Sequence, residues 1–270
     1  MEMEQYRKIE KSIIKKFRKT IWRPFINAIN DYQLIKPNDK IAVCISGGKD
    51  SMLLAKCMQE LKRHGQISFE LIFLLMDPGY DQKDINIIKT KATELNIPLT
   101  IFKTDIFQVL NLKKHKSPCY LCARMRRGHL YNKAQELGCN KIALAHHFND
   151  VIETTLLNIL YNGQFETMMP KLKSKHFQGM ELIRPFYYVK ELDIINWTHY
   201  NNLQFMECGC EVTKKQISNK RQMIKQLIKE LTTENKNADI NILHASENVN
   251  LNAIIGYHQD KETHHFLDNY

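Results

Sequence analysis

Lys40-Ile41-Ala42-Val43-Cys44-Ile45-Ser46-Gly47-Gly48-Lys49-Asp50-Ser51 decides the fold. The first six residues are apolar beyond Lys40 and rich in β-branched side chains, as a strand buried on both faces requires. After Ser51, the residues Leu53, Leu54, Cys57, Met58 and Leu61 recur at helical spacing. Strand, glycine turn and helix together aim backbone N–H groups and a helix N-terminus at an anion. Paired glycines let the backbone approach a phosphate closely, Lys49 adds a point charge, and Ser46 and Ser51 add hydroxyl donors. A Walker A loop is excluded, because Asp50 follows Lys49 and Val43 stands where its first glycine belongs. The Gly-x-Gly-x-x-Gly dinucleotide fingerprint is absent. An ordinary glycine turn is the plain alternative, and the strand–turn–helix context argues against it.

The string Ser46-Gly47-Gly48-Lys49-Asp50-Ser51 resembles the PP-loop of ATP pyrophosphatases. That resemblance implies ATP cleaved between the α and β phosphates and adenylation of a substrate oxygen. It implies Ser46, Gly47, Gly48, Lys49, Asp50 and Ser51 as ATP-binding residues, with Asp50 facing Mg²⁺, a cation that prefers carboxylate and phosphate oxygens.

Outward from this loop, strands alternate with helices. Strands are expected at Ser68–Met76, Ile97–Lys103, Lys141–Ala145 and within Gly179–Phe186. Helices are expected after the Asp77-Pro78-Gly79-Tyr80 turn through about Glu94, over Ala123–Leu137, Phe148–Leu160 and Lys190–Asn201, and over Thr213–Leu231. An N-terminal helix from about Tyr6 to Tyr32 carries an Ile9, Ile13, Phe17, Ile21, Phe25, Ile29 stripe, with a break expected at Pro24. The pattern predicts a doubly wound, mostly parallel α/β sheet whose ligands bind at the carboxyl ends of the strands. The expected parts are a helical segment over 1–36, the ATP-binding domain with its metal site over 37–212, and a basic helix with a polar tail over 213–270.

The chain has 270 residues, a formal charge of +10 and seven cysteines. Its acidic N-terminus reads as no signal peptide, and no apolar run reaches bilayer-spanning length. A cytoplasmic location without membrane contact is therefore expected. The positive charge is clustered on Lys8, Lys11, Lys15, Lys16, Arg18, Lys19 and Arg23, on Arg124, Arg126 and Arg127, and on a late helix. Such faces favour phosphate backbones, although solvated helix faces look the same. Cys44 and Cys57 lie in the apolar strand and helix around the loop and read as core residues, and Cys139, after Gly138 at a helix end, also reads as structural. Cys119, Cys122, Cys208 and Cys210 remain for metal or redox chemistry. Four thiolates could close a structural zinc site. Alternatively, Cys119, Cys122 and one distal cysteine could hold a [4Fe–4S] cluster with one open iron.

Two further blocks narrow the choice. Cys119-Tyr120-Leu121-Cys122-Ala123-Arg124-Met125-Arg126-Arg127-Gly128-His129-Leu130-Tyr131 and Leu144-Ala145-His146-His147-Phe148-Asn149-Asp150-Val151-Ile152-Glu153-Thr154 resemble segments of the tRNA 2-thiocytidine biosynthesis proteins. Met169-Pro170-Lys171-Leu172 and Ile183-Arg184-Pro185-Phe186 match in order, and the resemblance spans about Ile9 to Cys210. It implies a tRNA sulfurtransferase that adenylates a cytosine of the anticodon loop and replaces its O2 with sulfur. ATP, Mg²⁺ and a [4Fe–4S] cluster are the implied cofactors. The implied partners are tRNA, a sulfur donor such as a cysteine desulfurase system, and a second copy of the chain in a homodimer. Lys49, Asp50 and Asp150 are the implied catalytic residues. Asp77 and His146, at strand ends, are added to the ATP site as candidates, with an ordinary Asp-Pro-Gly turn and a structural hydrogen-bonding histidine as their plain alternatives. Two departures matter: Ala145 replaces a usual Gly, and Asn149 replaces the first Asp, leaving Asp150 to share Mg²⁺ with Asp50. The distal segment Cys208-Gly209-Cys210 also differs, so Cys208 is the expected third cluster ligand and Cys210 its alternative. Thiolation of another base, a cysteine persulfide relay and a zinc-stabilised binding module remain alternatives.

Overall fold

The computed structural model describes residues 2–107, 118–206, 218–260 and 262–270. The chain divides into two compact units, Met1–Val151 with Met168–Arg221, and Ile152–Thr167 with Gln222–Tyr270.

The first unit is built on a six-stranded sheet. Its strands are β1 (Lys40–Ile45), β2 (Glu70–Asp77), β3 (Leu99–Lys103), β4 (Lys141–Ala143), β5 (Lys171–Lys173) and β6 (Glu181–Ile183). Their order is β3-β2-β1-β4-β6-β5, parallel throughout except for the edge strand β5. The expected doubly wound α/β fold is therefore present. Strand order reverses between β1 and β4, which makes their carboxyl ends the switch-point crevice where such sheets bind ligands.

Side-chain alternation explains the two faces. Ile41, Val43 and Ile45 enter one core with Phe73, Leu75, Ala143 and Ile183. Ala42 and Cys44 enter the other with Leu74, Ile142 and Leu182. A period of two on a strand covered on both sides produces the unbroken apolar run seen in the sequence. The first face is covered by α1 (Glu2–Ile14), α2 (Arg23–Asp31), α3 (Lys49–His64), α4 (Gln82–Glu94) and α7 (Glu191–Tyr200); α5 (Pro118–Glu136) covers the second. The Ile9–Ile29 stripe is buried, whereas Lys8, Lys11, Lys15, Lys16, Arg18, Lys19 and Arg23 are exposed.

Several boundaries differ from expectation. The N-terminal helix breaks at a π-helical turn, Arg18–Trp22, ahead of Pro24, which sits in the first turn of α2 where its missing N–H costs nothing. The Cys119–Cys122 pair lies on the first turn of α5 and not in a loop, because Pro118 opens the helix. Strand β4 ends at Ala143, two residues early. The short edge strand β5 carries too few residues to show a pattern. Helix α6 spans Phe148–Leu157 and gives way to a π-helical turn, Asn158–Asn162. Helix α8 spans Ser218–Glu234, and residues 213–217 of its expected span lie outside the described residues.

In the second unit the tail is structured where only polar chain was expected. It forms α9 (Ala238–Ala245) and an antiparallel hairpin of β7 (Gly256–Gln259) and β8 (Glu262–His265). Its strands are too polar to announce themselves. Among the described residues, no helix is long and apolar enough to cross a membrane.

Candidate active site

At the carboxyl end of β1 the backbone turns through Gly47, whose φ of 89° lies in the left-handed region. A Cβ there would stand 2.7 Å from Ile88 Cγ1 on α4, so conformation and space both demand glycine. Gly48 is the N-cap of α3. Ser51 braces the turn: its Oγ accepts from the Ser46 N–H and the Ser46 hydroxyl, both at 3.1 Å, and donates to the Gly48 carbonyl at 2.9 Å. The first-turn N–H groups of α3 have no intrahelical acceptor and face the turn's mouth. Lys49 Nζ lies 3.1 Å from Asp50 Oδ1 and 3.6 Å from Glu191 Oε1 at the start of α7. That Asp50 oxygen is buried and makes no hydrogen bond, whereas Asp50 Oδ2 accepts one from Lys49 Nζ at 3.2 Å.

On the neighbouring strand, β4 is in register with β1, Val43 facing Ala143, so the stretch after β4 emerges beside the glycine loop. His147 and Asp150 cap α6 reciprocally. Asp150 Oδ2 accepts from the His147 N–H at 3.0 Å, and His147 Nδ1 accepts from the Asp150 N–H at 3.4 Å. Asp150 Oδ1 accepts from Arg221 at 3.1 Å, which engages both carboxylate oxygens. Burial works to raise the Asp150 pKa, but His147, its backbone N–H, His146 and Arg221 together hold it below the usual carboxylate range. Asn149 Oδ1 caps α7 by accepting from the Glu191 N–H at 2.9 Å. The residue that departs from the family pattern thus ties α6 to α7, whose Glu191 reaches Lys49.

His146 accepts at Nδ1 from Arg184 Nε at 3.4 Å. Burial, followed by the Arg184 charge, lowers its pKa to about 4, so the imidazole is neutral. Arg184, at the carboxyl end of β6, is 5% exposed. Its Nη1 donates to the Met169 carbonyl, and its N–H donates to the Pro170 carbonyl at 2.9 Å. The two short motifs around Pro170 and Pro185 are therefore one piece of structure, the β5–β6 pair.

Asp77 lies at the end of β2. Its Oδ1 accepts from the Gly79 and Tyr80 N–H groups at 3.0 and 2.8 Å, which commits that oxygen to the turn. Glu153 is buried and lies 3.7 Å from Lys225 Nζ. Cys119 and Cys122 are three residues apart in the span of α5. Cys208 and Cys210 lie outside the described residues. Cys44, Cys57 and Cys139 are buried free thiols whose pKa burial raises, as core residues require. A separate cleft of about 480 Å³ between β3 and α5, lined by Lys103, Asp105, His129 and Lys133 among others, contains none of the expected ATP residues.

Three residues of this region were not anticipated as site residues: Arg184, Glu191 and Arg221. Arg184 had a signal, a charge at the exit of an otherwise apolar strand. Glu191 and Arg221 had none, because each is brought in by a helix distant in sequence.

Residues 14–231 match the model of the PP-loop domain family. A tRNA-cytidine(32) 2-sulfurtransferase of Syntrophotalea carbinolica is 36% identical over 243 residues, covering 89% of this chain and 92% of that protein. The chain belongs to the PP-loop tRNA 2-sulfurtransferase family. A second member, a tRNA-cytidine(32) 2-sulfurtransferase of Anaeromyxobacter dehalogenans, is 33% identical over 245 residues, covering 90% of this chain and 81% of its own length. The U34-tRNA thiolase NcsA of Methanococcus maripaludis, solved with its [4Fe-4S] cluster, shares the fold with a TM-score of 0.68. It is 21% identical and covers 83% of this chain and 76% of its own. Membership makes this chain an ATP-dependent tRNA-thiolating enzyme of the PP-loop 2-sulfurtransferase type.

Proposed function

We propose that this chain adenylates the O2 of a tRNA cytidine with ATP and replaces that oxygen with sulfur. The anticodon-loop position follows its relatives, whose names specify cytidine 32. The observation that carries the ATP step is the Ser51-braced turn at Gly47, which opens α3 at the switch point of the sheet. In this reading the β- and γ-phosphates rest on the loop amides, and Lys49 turns from Asp50 and Glu191 toward them. The cytosine O2 attacks the α-phosphorus and pyrophosphate leaves. A sulfur nucleophile then adds at C2, and the C2–O bond breaks to release AMP. The base must leave its stack to be reached, which an anticodon loop makes cheap. Neutral His146 donates a hydrogen bond without exchanging protons, because Arg184 occupies its Nδ1 and leaves the proton on Nε2.

Mg²⁺ would be held by Asp50, whose buried Oδ1 has no hydrogen bond to lose, and would neutralise phosphate charge. Asp150 would join it only by exchanging its bond to Arg221. Cys119, Cys122 and Cys208, with Cys210 as alternative, fit the thiolate preference of a [4Fe–4S] cluster. Such a cluster supplies the sulfur when bound. The arginines at 124, 126 and 127 favour the thiolate form of the pair. A cysteine desulfurase system would replenish the sulfur. The basic face of α1 would hold the tRNA backbone.

The test is tRNA-dependent pyrophosphate release together with nucleoside mass spectrometry. Wild type should release pyrophosphate only with tRNA and form 2-thiocytidine, and Lys49→Met should do neither. Iron, acid-labile sulfide and zinc, measured without oxygen on wild type, Cys208→Ala and Cys210→Ala, decide the cluster. Four irons lost with only one distal substitution support three ligands; stoichiometric zinc overturns the cluster. Absence of 2-thiocytidine from product tRNA overturns the reaction.

A further inference from the structure

Among the described residues, three Lys or Arg side chains are buried: Lys56, Lys141 and Arg184. Lys56 Nζ lies 2.5 Å from Glu10 Oε1, with the Leu95 carbonyl at 2.7 Å. Lys141 Nζ lies 2.9 Å from Asp39 Oδ2 and 3.2 Å from Glu181 Oε2. Among the described residues, Arg184 forms no ion pair. Its two side-chain partners are both neutral, a histidine ring and a carbonyl. The charge nearest in effect is a second cation, Arg127, and Asp150, already engaged by Arg221, offsets it least. Burial and Arg127 lower the Arg184 pKa to about 10, which leaves the guanidinium charged at neutral pH. Buried charges are ordinarily paired, because an unpaired one forfeits its hydration without return. A cation kept buried, charged and without a counterion at the carboxyl edge of the sheet is a cation whose counterion arrives from outside.

We propose that Arg184 binds a phosphoryl oxyanion beside the ATP loop. Arg184 Nη2 makes no hydrogen bond among the described residues, so one arm of the fork is available. The Met169 carbonyl and His146 hold the other donors and fix the plane of the guanidinium. Strand β6 lies two places from β1, across β4, so the subsite stands roughly 10 Å along the sheet edge from the glycine loop. That separation makes it distinct from the cradle assigned to the departing pyrophosphate. Given the thiolation reading, on which this inference rests, the oxyanion is either the α-phosphoryl group of the nucleotide or a backbone phosphate of the tRNA. Either would place negative charge against Arg184 only when substrate is present.

The experiment is calorimetric titration of the full chain with AMP and, separately, with an anticodon stem-loop RNA. Saturating pyrophosphate is present throughout to fill the glycine loop. Arg184→Met removes the charge and keeps the stem; Arg184→Lys keeps the charge and loses the fork. Arg184→Met should weaken one of the two probes by about tenfold to a hundredfold, the range for losing a charge-assisted hydrogen bond, and Arg184→Lys by less. Pyrophosphate affinity, measured alone, should be unchanged in both variants, which certifies the fold and separates this subsite from the loop. Loss of AMP binding assigns the α-phosphoryl source, and loss of stem-loop binding assigns the tRNA backbone. Wild-type affinity for both probes in Arg184→Met, with pyrophosphate binding intact, overturns the proposal. So does an equal loss for pyrophosphate in both variants, which marks Arg184 as a structural staple. Both results are independent of whether 2-thiocytidine forms, so this inference can fail while the reaction stands.

Discussion

The two edges of the sheet treat a buried cation in opposite ways. At the amino edge, Lys141 is enclosed by Asp39, Glu181 and the Leu34 carbonyl, while Asn140 bridges Asp39 and the Lys40 N–H. Every partner there is internal, and the arrangement holds the start of β4 to the chain entering β1. At the carboxyl edge, Arg184 has hydrogen bonds but no counterion among the described residues, and Lys49 is shared between Asp50 and Glu191 in a loop shaped for phosphate. One edge is electrostatically complete by itself, whereas the other is completed by its ligand. Completeness marks the stabilising edge and incompleteness the working one.

The comparison breaks most visibly at Asp39. Asp39→Ala would leave the buried Lys141 with only Glu181 and the Leu34 carbonyl, and would strip Asn140 and the Lys36 N–H of their acceptor. It should destabilise the protein by about 3 kcal/mol in urea titration at pH 7, the low end of the cost of breaking a buried pair. Arg184→Met should cost no more than about half as much, since no carboxylate is abandoned; an equal cost would abolish the distinction between the edges. Gly47→Ala comes next. Its φ of 89° and the 2.7 Å approach to Ile88 should cost about 1–3 kcal/mol. It should also reduce tRNA-dependent pyrophosphate release more than tenfold, whereas Ala at Gly48, where the nearest atom is 3.7 Å away, should be tolerated by the fold.

A smaller effect sharpens the comparison through pH. Burial works to raise the Glu10 pKa, but hydrogen bonds from Arg63 and Lys56 outweigh it and hold the group below its ordinary 4.5. Ionised Glu10 therefore contributes stability that is present above the unfolded value and lost as pH falls through the folded one. Glu60, raised by burial, works in the opposite sense, so the two must be separated. The difference in melting temperature between wild type and Glu10→Gln should shrink as pH falls from about 5 to 3. A constant difference would show that Glu10 acts through packing alone. Smallest of all, the double change Lys8→Glu and Lys11→Glu on the exposed face of α1 should leave stability within about 0.5 kcal/mol. It should weaken tRNA binding and flatten its salt dependence, and an unchanged salt slope would remove that face from the interface.

How much could be read without coordinates varied with the physics of each element. β1 and α3 were legible because an apolar run buried on both faces and a helical stripe are local patterns, and Ser46–Ser51 is a local motif. The placement of Cys119 and Cys122 on a helix was not, since one Pro118 shifted the start of α5 by five residues. The β7–β8 hairpin escaped because its side chains are polar on both faces and leave no alternation to detect. Asp150 was legible as a charged residue beside the site. Its capping of His147 and its bond to Arg221 were invisible, because the second depends on a helix seventy residues away.

By itself, the sequence determined the class of fold, the phosphate loop and the family, because each rests on contiguous residues whose spacing alone constrains the chemistry. Only the tertiary structure decided which charges are satisfied. Lys141 and Arg184 look alike in the sequence, each a cation beside short apolar strands. Whether a carboxylate stands within 3 Å of either depends on chain segments up to a hundred residues away, and that pairing separates a structural cation from one that awaits a ligand.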